Sequence, residues 1–129
     1  MTKTPVFISF DFDNDEGLKH LLVGQSKKED SPFDIGDHSV KEPLTGDWKE
    51  KVRRRIRNVK QVIVICGEFT DSANGVSAEV EIAQEEEIPY FLLKGLADKV
   101  CARPKSARTA DKMYKWTWDN LKLLISGAR

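Results

Sequence analysis

Apolar and polar positions alternate in blocks along the chain, and the blocks switch between the repeat of a strand and the repeat of a helix. Val6–Phe10 (VFISF) is apolar and β-branched or aromatic except at Ser9, which predicts a first strand. The polar turn Asp11-Phe12-Asp13-Asn14-Asp15 follows. Asp13, Asn14 or Asp15 is placed to cap a helix that carries Leu18, Leu21, Leu22 and Gln25. After the charged connector Ser26–Ser31, Phe33-Asp34-Ile35 predicts a short second strand. Gly36–Asp47, with Pro43 and Gly46, reads as a long loop, and long structureless loops in small domains are often functional. Asp47 then reads as an N-cap with Glu50 completing a capping box. Trp48, Val52, Ile56 and Val59 form the buried stripe of that helix.

The third strand, Val62–Cys66, has the unbroken β-branched composition of a strand covered on both faces. Gly67 ends it, and Glu68–Gly75 has loop chemistry. In the helix that follows, Val76, Val80 and Ala83 share one side at ~100° per residue. Glu79 lies about 60° from Val76, at the edge of that stripe, while Glu81 and Glu85 point toward water. One glutamate in the first two turns is therefore angled into the domain. Pro89 stops the helix and Tyr90–Leu93 predicts a fourth strand. Lys94–Asp111 is loop-like, with a short helix expected around Leu96–Val100 and no evident fifth strand. Met113–Ser126 predicts a last helix with Trp116 or Trp118, Leu121, Leu124 and Ile125 on its inner face.

Strands alternating with helices imply right-handed crossovers and a parallel sheet of four to five strands with helices on both faces. The expected class is α/β with flavodoxin-like strand order, in one domain over residues 1–129. In such sheets a carboxylate just past the carboxyl end of a strand sits where ligands bind, which makes Glu79 the candidate chemical centre.

Composition narrows the alternatives. The chain has 129 residues, 40% apolar and 33% charged, with formal net charge +0. That balance points to no nucleic-acid partner. The apolar runs are far shorter than a membrane span, so no membrane partner is expected. No secretory signal is visible, so the cytoplasm is the expected compartment. Two cysteines and two histidines lack ligand spacing, so no metal is expected. The aspartates of residues 11–15 resemble the start of a calcium loop, but its glycine and closing glutamate are missing; a capping turn fits better. His38 is open between a surface position and a ligand contact. The basic helix face (Lys49, Lys51, Arg53, Arg54, Arg55, Arg57 and Lys60) reads as solvated, or as a surface for a protein partner or an anionic ligand. Neither GxGxxG, nor GxxxxGK[ST], nor GxSxG occurs. A phosphorylated receiver needs an acid ending the third strand, where Cys66-Gly67 stands.

Four stretches, in order and spacing, resemble bacterial Toll/interleukin receptor (TIR)-like domains, in particular the Thoeris-type sensor proteins. They are Val6–Asp15; Phe33–Ser39 running into Asp47–Glu68; the TxSxxxVxxE run Thr70–Glu79 continuing to Ala83; and Tyr114–Gly127. The resemblance implies cleavage of NAD, as substrate rather than cofactor, at its nicotinamide–ribose bond. The product would be an ADP-ribose derivative, hydrolysed or cyclic, read by an effector protein. Glu79 maps to the family's essential glutamate. Phe10 and Asp11, the segment containing Asp34, His38 and Ser39, and the motif residues Thr70 and Ser72 would bind the substrate. Some TIR domains are adaptors that self-associate through TIR–TIR contacts; here the basic helix and the loop before it would supply such contacts. Where relatives often carry a bulky residue before Val76, this chain has Asn74-Gly75. The chemistry agrees with one carboxylate, since the nicotinamide ring already carries positive charge in NAD, leaves as a neutral molecule and needs no acid to protonate it.

Overall fold

A computed structural model describes residues 3–39 and 46–127. Among these residues, five strands, β1 (Thr4–Ser9), β2 (Phe33–His38), β3 (Gln61–Cys66), β4 (Tyr90–Lys94) and β5 (Met113–Lys115), form one sheet in the order β2-β1-β3-β4-β5. Every neighbouring pair is parallel. Among the described residues, four α-helices connect or follow them: α1 (Glu16–Ser26), α2 (Trp48–Arg57), α3 (Asn74–Glu85) and α4 (Trp118–Ile125). The architecture is the flavodoxin-like α/β fold expected from the alternating blocks.

The two faces of the sheet have separate cores, as the period of two along each strand requires. Phe7, Val62, Val64 and Leu92 pack with Val52 and Ile56 of α2 and with Val76, Val80 and Ala83 of α3. Val6, Ile8, Ile63, Ile65, Phe91 and Leu93 pack with Leu22 of α1 and with Leu121, Leu124 and Ile125 of α4. β3, at the centre, is buried along its whole length, as its β-branched run predicts.

Four expectations need correction. The second strand does not stop at Ile35. It continues to His38 through a bulge, where the register with β1 steps from Val6↔Ile35 to Phe7↔Asp37 and Gly36 is the extra residue. A Cβ on Gly36 would lie 2.8 Å from Val59 Cγ1, so the bulge needs glycine. Of the loop expected over Gly36–Asp47, residues 40–45 lie outside the described residues. A fifth strand exists: Met113 and Tyr114 turn to opposite faces beside β4, and α4 begins only at Trp118, with Thr117 capping Asn120 N at 3.1 Å. Leu96–Val100 forms turns rather than a helix; Val100 is 90% exposed, so no apolar stripe holds a helix there. Finally, Asp15 and Asp47 occupy N-cap positions, but neither side chain makes a capping bond. Asp47 is drawn to Lys51 instead, at 3.7 Å. Among the described residues, no helix is long and apolar enough to cross a membrane.

Candidate active site at the topological switch point

β1 connects outward to β2, and the chain then crosses back to β3 on the other side of β1. The carboxyl ends of β1 and β3 thus flank the crevice where open α/β sheets bind ligands. A cavity of about 400 Å³ opens there, within the range of small-ligand pockets. Its lining comes from the turn after β1 (Phe10–Asn14), from Ser39, from Trp48, and from the segment Phe69–Glu79.

Glu79 is the more deeply buried of the two buried acids lining this cavity among the described residues, at 3% exposure against 8% for Asp11. Its Oε1 accepts a 2.6 Å hydrogen bond from Ser9 Oγ and another from Ser39 Oγ. Both bonds fall on one oxygen, and Oε2 takes part in neither. Burial pushes the carboxyl up to about 7, against the pull of the Ser39 and Ser9 hydroxyls and of the nearby Arg55 charge. The group therefore exchanges its proton near neutrality, as a buried active-site acid or base does.

The strand pattern explains why these serines meet. Phe7 and Ser9 alternate with Val6 and Ile8, so Ser9 turns to the α3 side. On β2, Phe33 and Ile35 face the α1 side. Without the bulge at Gly36, Ser39 would share their face. The extra residue inverts the alternation, so Asp37 and Ser39 turn toward α2 and α3. Ser39 is then anchored by its own N–H to the Ile8 carbonyl (2.9 Å), and its Oγ receives the Phe10 N–H at 3.2 Å.

Of the residues expected to meet substrate, Phe10, Asp11, Ser39, Ser72 and Glu79 line the cavity together. Asp11 also shapes the turn, accepting from Asn14 Nδ2 (2.7 Å) and Asp13 N (3.2 Å). Three others do not line it. Asp34 is exposed opposite Pro5 at the amino end of β2, roughly 15 Å along the strand from Ser39. Strand direction, invisible in a short motif, separates them. Thr70 is fully buried and holds the turn after β3, its Oγ1 accepting from Gly67 N at 2.8 Å. His38 turns to the opposite face of β2, its ring 6.3 Å from that of Phe10. Its Nδ1 lies 2.8 Å from the Ser39 carbonyl, a contact that puts the proton on Nδ1 because a carbonyl only accepts.

Sequence reasoning missed several lining residues: Phe12, Asn14, Trp48, Phe69 and Asn74. Trp48 sits in the α2 stripe, yet it both packs in the core and reaches the cavity. Phe69 is 55% exposed, and a large aromatic alone in the polar loop Glu68–Gly75 was the signal for it. Ser9 carried a signal too, as the one polar residue of VFISF. At Gly75 an added Cβ would meet nothing within 4 Å, so the cavity is open where Asn74-Gly75 stands.

Two neighbouring features bear on the electrostatics. Arg55 grips both oxygens of Asp37 (2.8 and 2.7 Å) and the His38 carbonyl (3.0 Å), which holds the Asp37 carboxyl below its usual range. Arg53 and Arg57 bond Glu86. Much of the basic face of α2 is thus engaged with the protein's own carboxylates rather than merely solvated. Asp15 is buried at 4% exposure behind the turn, its carboxylate against Gly67 and its Oδ2 without a hydrogen bond. Burial, then the charges of Asp11 and Glu68, raise it to about 6. Burial also pushes the Cys66 thiol up to about 12, which leaves it an inert core side chain.

A family model described as Thoeris protein ThsB, TIR-like domain, matches residues 7–95. That span contains Ser9 and every residue lining the Glu79 cavity. No curated protein matches the chain. The fold, the switch-point cavity and the family match agree: the chain belongs to the TIR-like domain family of the Thoeris protein ThsB, with a role in TIR-type antiphage defence.

Proposed function

We propose that this protein cleaves the nicotinamide–ribose bond of NAD and releases an ADP-ribose-derived signal, hydrolysed or cyclised, for an effector protein of the defence system. The observation that carries this reading is the Glu79 carboxyl: buried, held through Oε1 by two serine hydroxyls, and facing a switch-point cavity. When nicotinamide departs, positive charge develops on the ribose. A carboxylate already fixed by Ser9 and Ser39 stabilises that charge without reorganising, and does so more strongly where water is excluded. Oε2 is the oxygen left to meet the sugar. Phe12 and Phe69, the more exposed of the lining aromatics, offer flat apolar surface to the rings of the dinucleotide.

The test is chromatographic detection of nicotinamide from NAD incubated with concentrated pure protein. Glu79→Gln keeps the side-chain shape and is expected to lower release by about 10²-fold or more. A folded Glu79→Gln protein that releases nicotinamide at the original rate removes Glu79 from the chemistry and with it this reading.

A further inference from the structure

A second and larger hollow, about 580 Å³, opens at the carboxyl ends of β4 and β5. Leu21 and Gln25 of α1 form one wall, and Lys94, Lys115 and Trp116 form the other, over a floor at Gly95. It shares no lining residue with the Glu79 cavity. The floor requires glycine: a Cβ on Gly95 would lie 2.7 Å from Leu18 Cδ1 and 3.1 Å from the Cys66 carbonyl oxygen. With no side chain there, Leu18 and the end of β3 pack close against the base of the hollow.

Three observations describe what would fill it. First, the Trp116 indole is fixed, its Nε1–H donating to Gln25 Oε1 at 2.8 Å, so one flat aromatic face is already oriented. Second, Leu21 is 62% exposed, although the helical pattern of α1 marks it for burial; it borders this hollow. Third, Lys94 and Lys115 stand opposite each other in the β4–β5 register. Like charges placed so are unfavourable in a sheet. Among the described residues, neither lysine has a carboxylate within ion-pair distance, and the lining holds no acid. The nearest bond of Lys94 Nζ is to the Ala97 carbonyl at 3.5 Å, at the limit of a hydrogen bond. Folding gains nothing from this pair of cations, whereas a bound anion would reconcile them.

We infer that this hollow is a binding site for an aromatic anion: a flat ring lies against Trp116 and Leu21, and a carboxylate or phosphate on it bridges Lys94 and Lys115. The volume suits a ligand of drug or mononucleotide size. The inference does not depend on NAD cleavage, since it uses no residue of the Glu79 site.

The test is titration of the ¹⁵N-labelled full chain with three probes, 2-naphthoate, 2-naphthyl phosphate and the neutral 2-naphthamide. The indole N–H of Trp116, assigned with Trp116→Phe, is the reporter. At least one anion is expected to shift it to saturation and to bind about tenfold or more tighter than the amide. The double variant Lys94→Gln/Lys115→Gln should remove that advantage while leaving amide binding unchanged and the melting temperature equal or higher. Glu79→Gln should leave all three titrations unchanged, which separates this site from the proposed NAD site. The relative strengths of carboxylate and phosphate tell which headgroup it prefers. Equal binding of amide and anions, no saturable shift with either anion, or an anion preference that survives loss of both lysines would each overturn the inference. So would a Trp116 signal that moves on dilution but not with anion, which would make the hollow a contact between two copies of the chain.

Discussion

Of the glutamates on helix α3 and the residue that ends it, Glu79 and Glu86 lie about two turns apart and, at ~100° per residue, on nearly the same side of the helix. Their neighbourhoods treat the same side chain in opposite ways. Glu79 is buried against the ends of β1 and β2, bonded by two neutral hydroxyls, and its carboxyl is pushed up to about 7. Glu86 lies over α2, bonded first by Arg57 and then by Arg53, and is drawn down to about 2. The second arrangement is what stability alone favours, a charge matched by opposite charge near water. The first keeps an acid short of its solvation, an arrangement that clusters at functional sites and that the proposed NAD cleavage would use.

The comparison can be broken most decisively through pH. If nicotinamide release uses the Glu79 carboxylate, its rate falls as pH drops below 7, approaching tenfold per unit, roughly 50-fold between pH 7 and pH 5. A flat profile over that range, measured where the fold is intact, would show that Glu79 does not titrate in the working step.

Stability gives the next effect. Glu79 has a folded-state value above its ordinary 4.5, so the fold binds its proton more tightly than the unfolded chain does. Its contribution is full below pH 4.5 and is lost as pH rises through about 7. Glu79→Gln, which never ionises, is therefore expected to be more stable than the wild type at pH 8, by about 1–3 kcal/mol, and equal to it near pH 4. Thermal melts at the two pH values measure this. An equal or lower melting temperature at pH 8 would mean that burial does not oppose the charge.

A smaller change sharpens the account of how the charge is held. Ser39→Ala removes one of the two hydrogen bonds to Oε1. The Glu79 titration should move further up, and the midpoint of the pH–rate profile with it, by about one unit. Ser9→Ala should act in the same direction. Midpoints that stay in place would assign the serines to packing alone.

The smallest effect belongs to the other glutamate. Glu86→Gln removes contacts of Arg57 and Arg53 at the surface, where salt screens them. Glu86 supports the fold above pH 4.5 and loses that support as pH falls toward 2, the reverse of Glu79. The variant should melt only slightly below the wild type at pH 7 in low salt, and the difference should fade in high salt. A large, salt-independent loss would mean that this pair is more than a surface contact.

The local parts of this protein were legible before any coordinates. The β-branched run Val62–Cys66 could only be a covered strand, and the spacing of Val76, Val80 and Ala83 set the helix face that turns Glu79 inward. Both follow from periods of two and 3.6 residues, which are properties of neighbouring positions. What the periods could not supply was partnership across the chain. Ser9 and Ser39 lie far from Glu79 in sequence, and Ser39 reaches it only because a glycine bulge inverts one edge strand. Asp34 shares the same short motif yet sits at the wrong end of that strand, and Lys94 and Lys115 become neighbours only once β5 pairs with β4. Sequence determined which way each side chain leans from its own backbone. Register, strand direction and sheet order, set by packing over the whole domain, decided which of them meet.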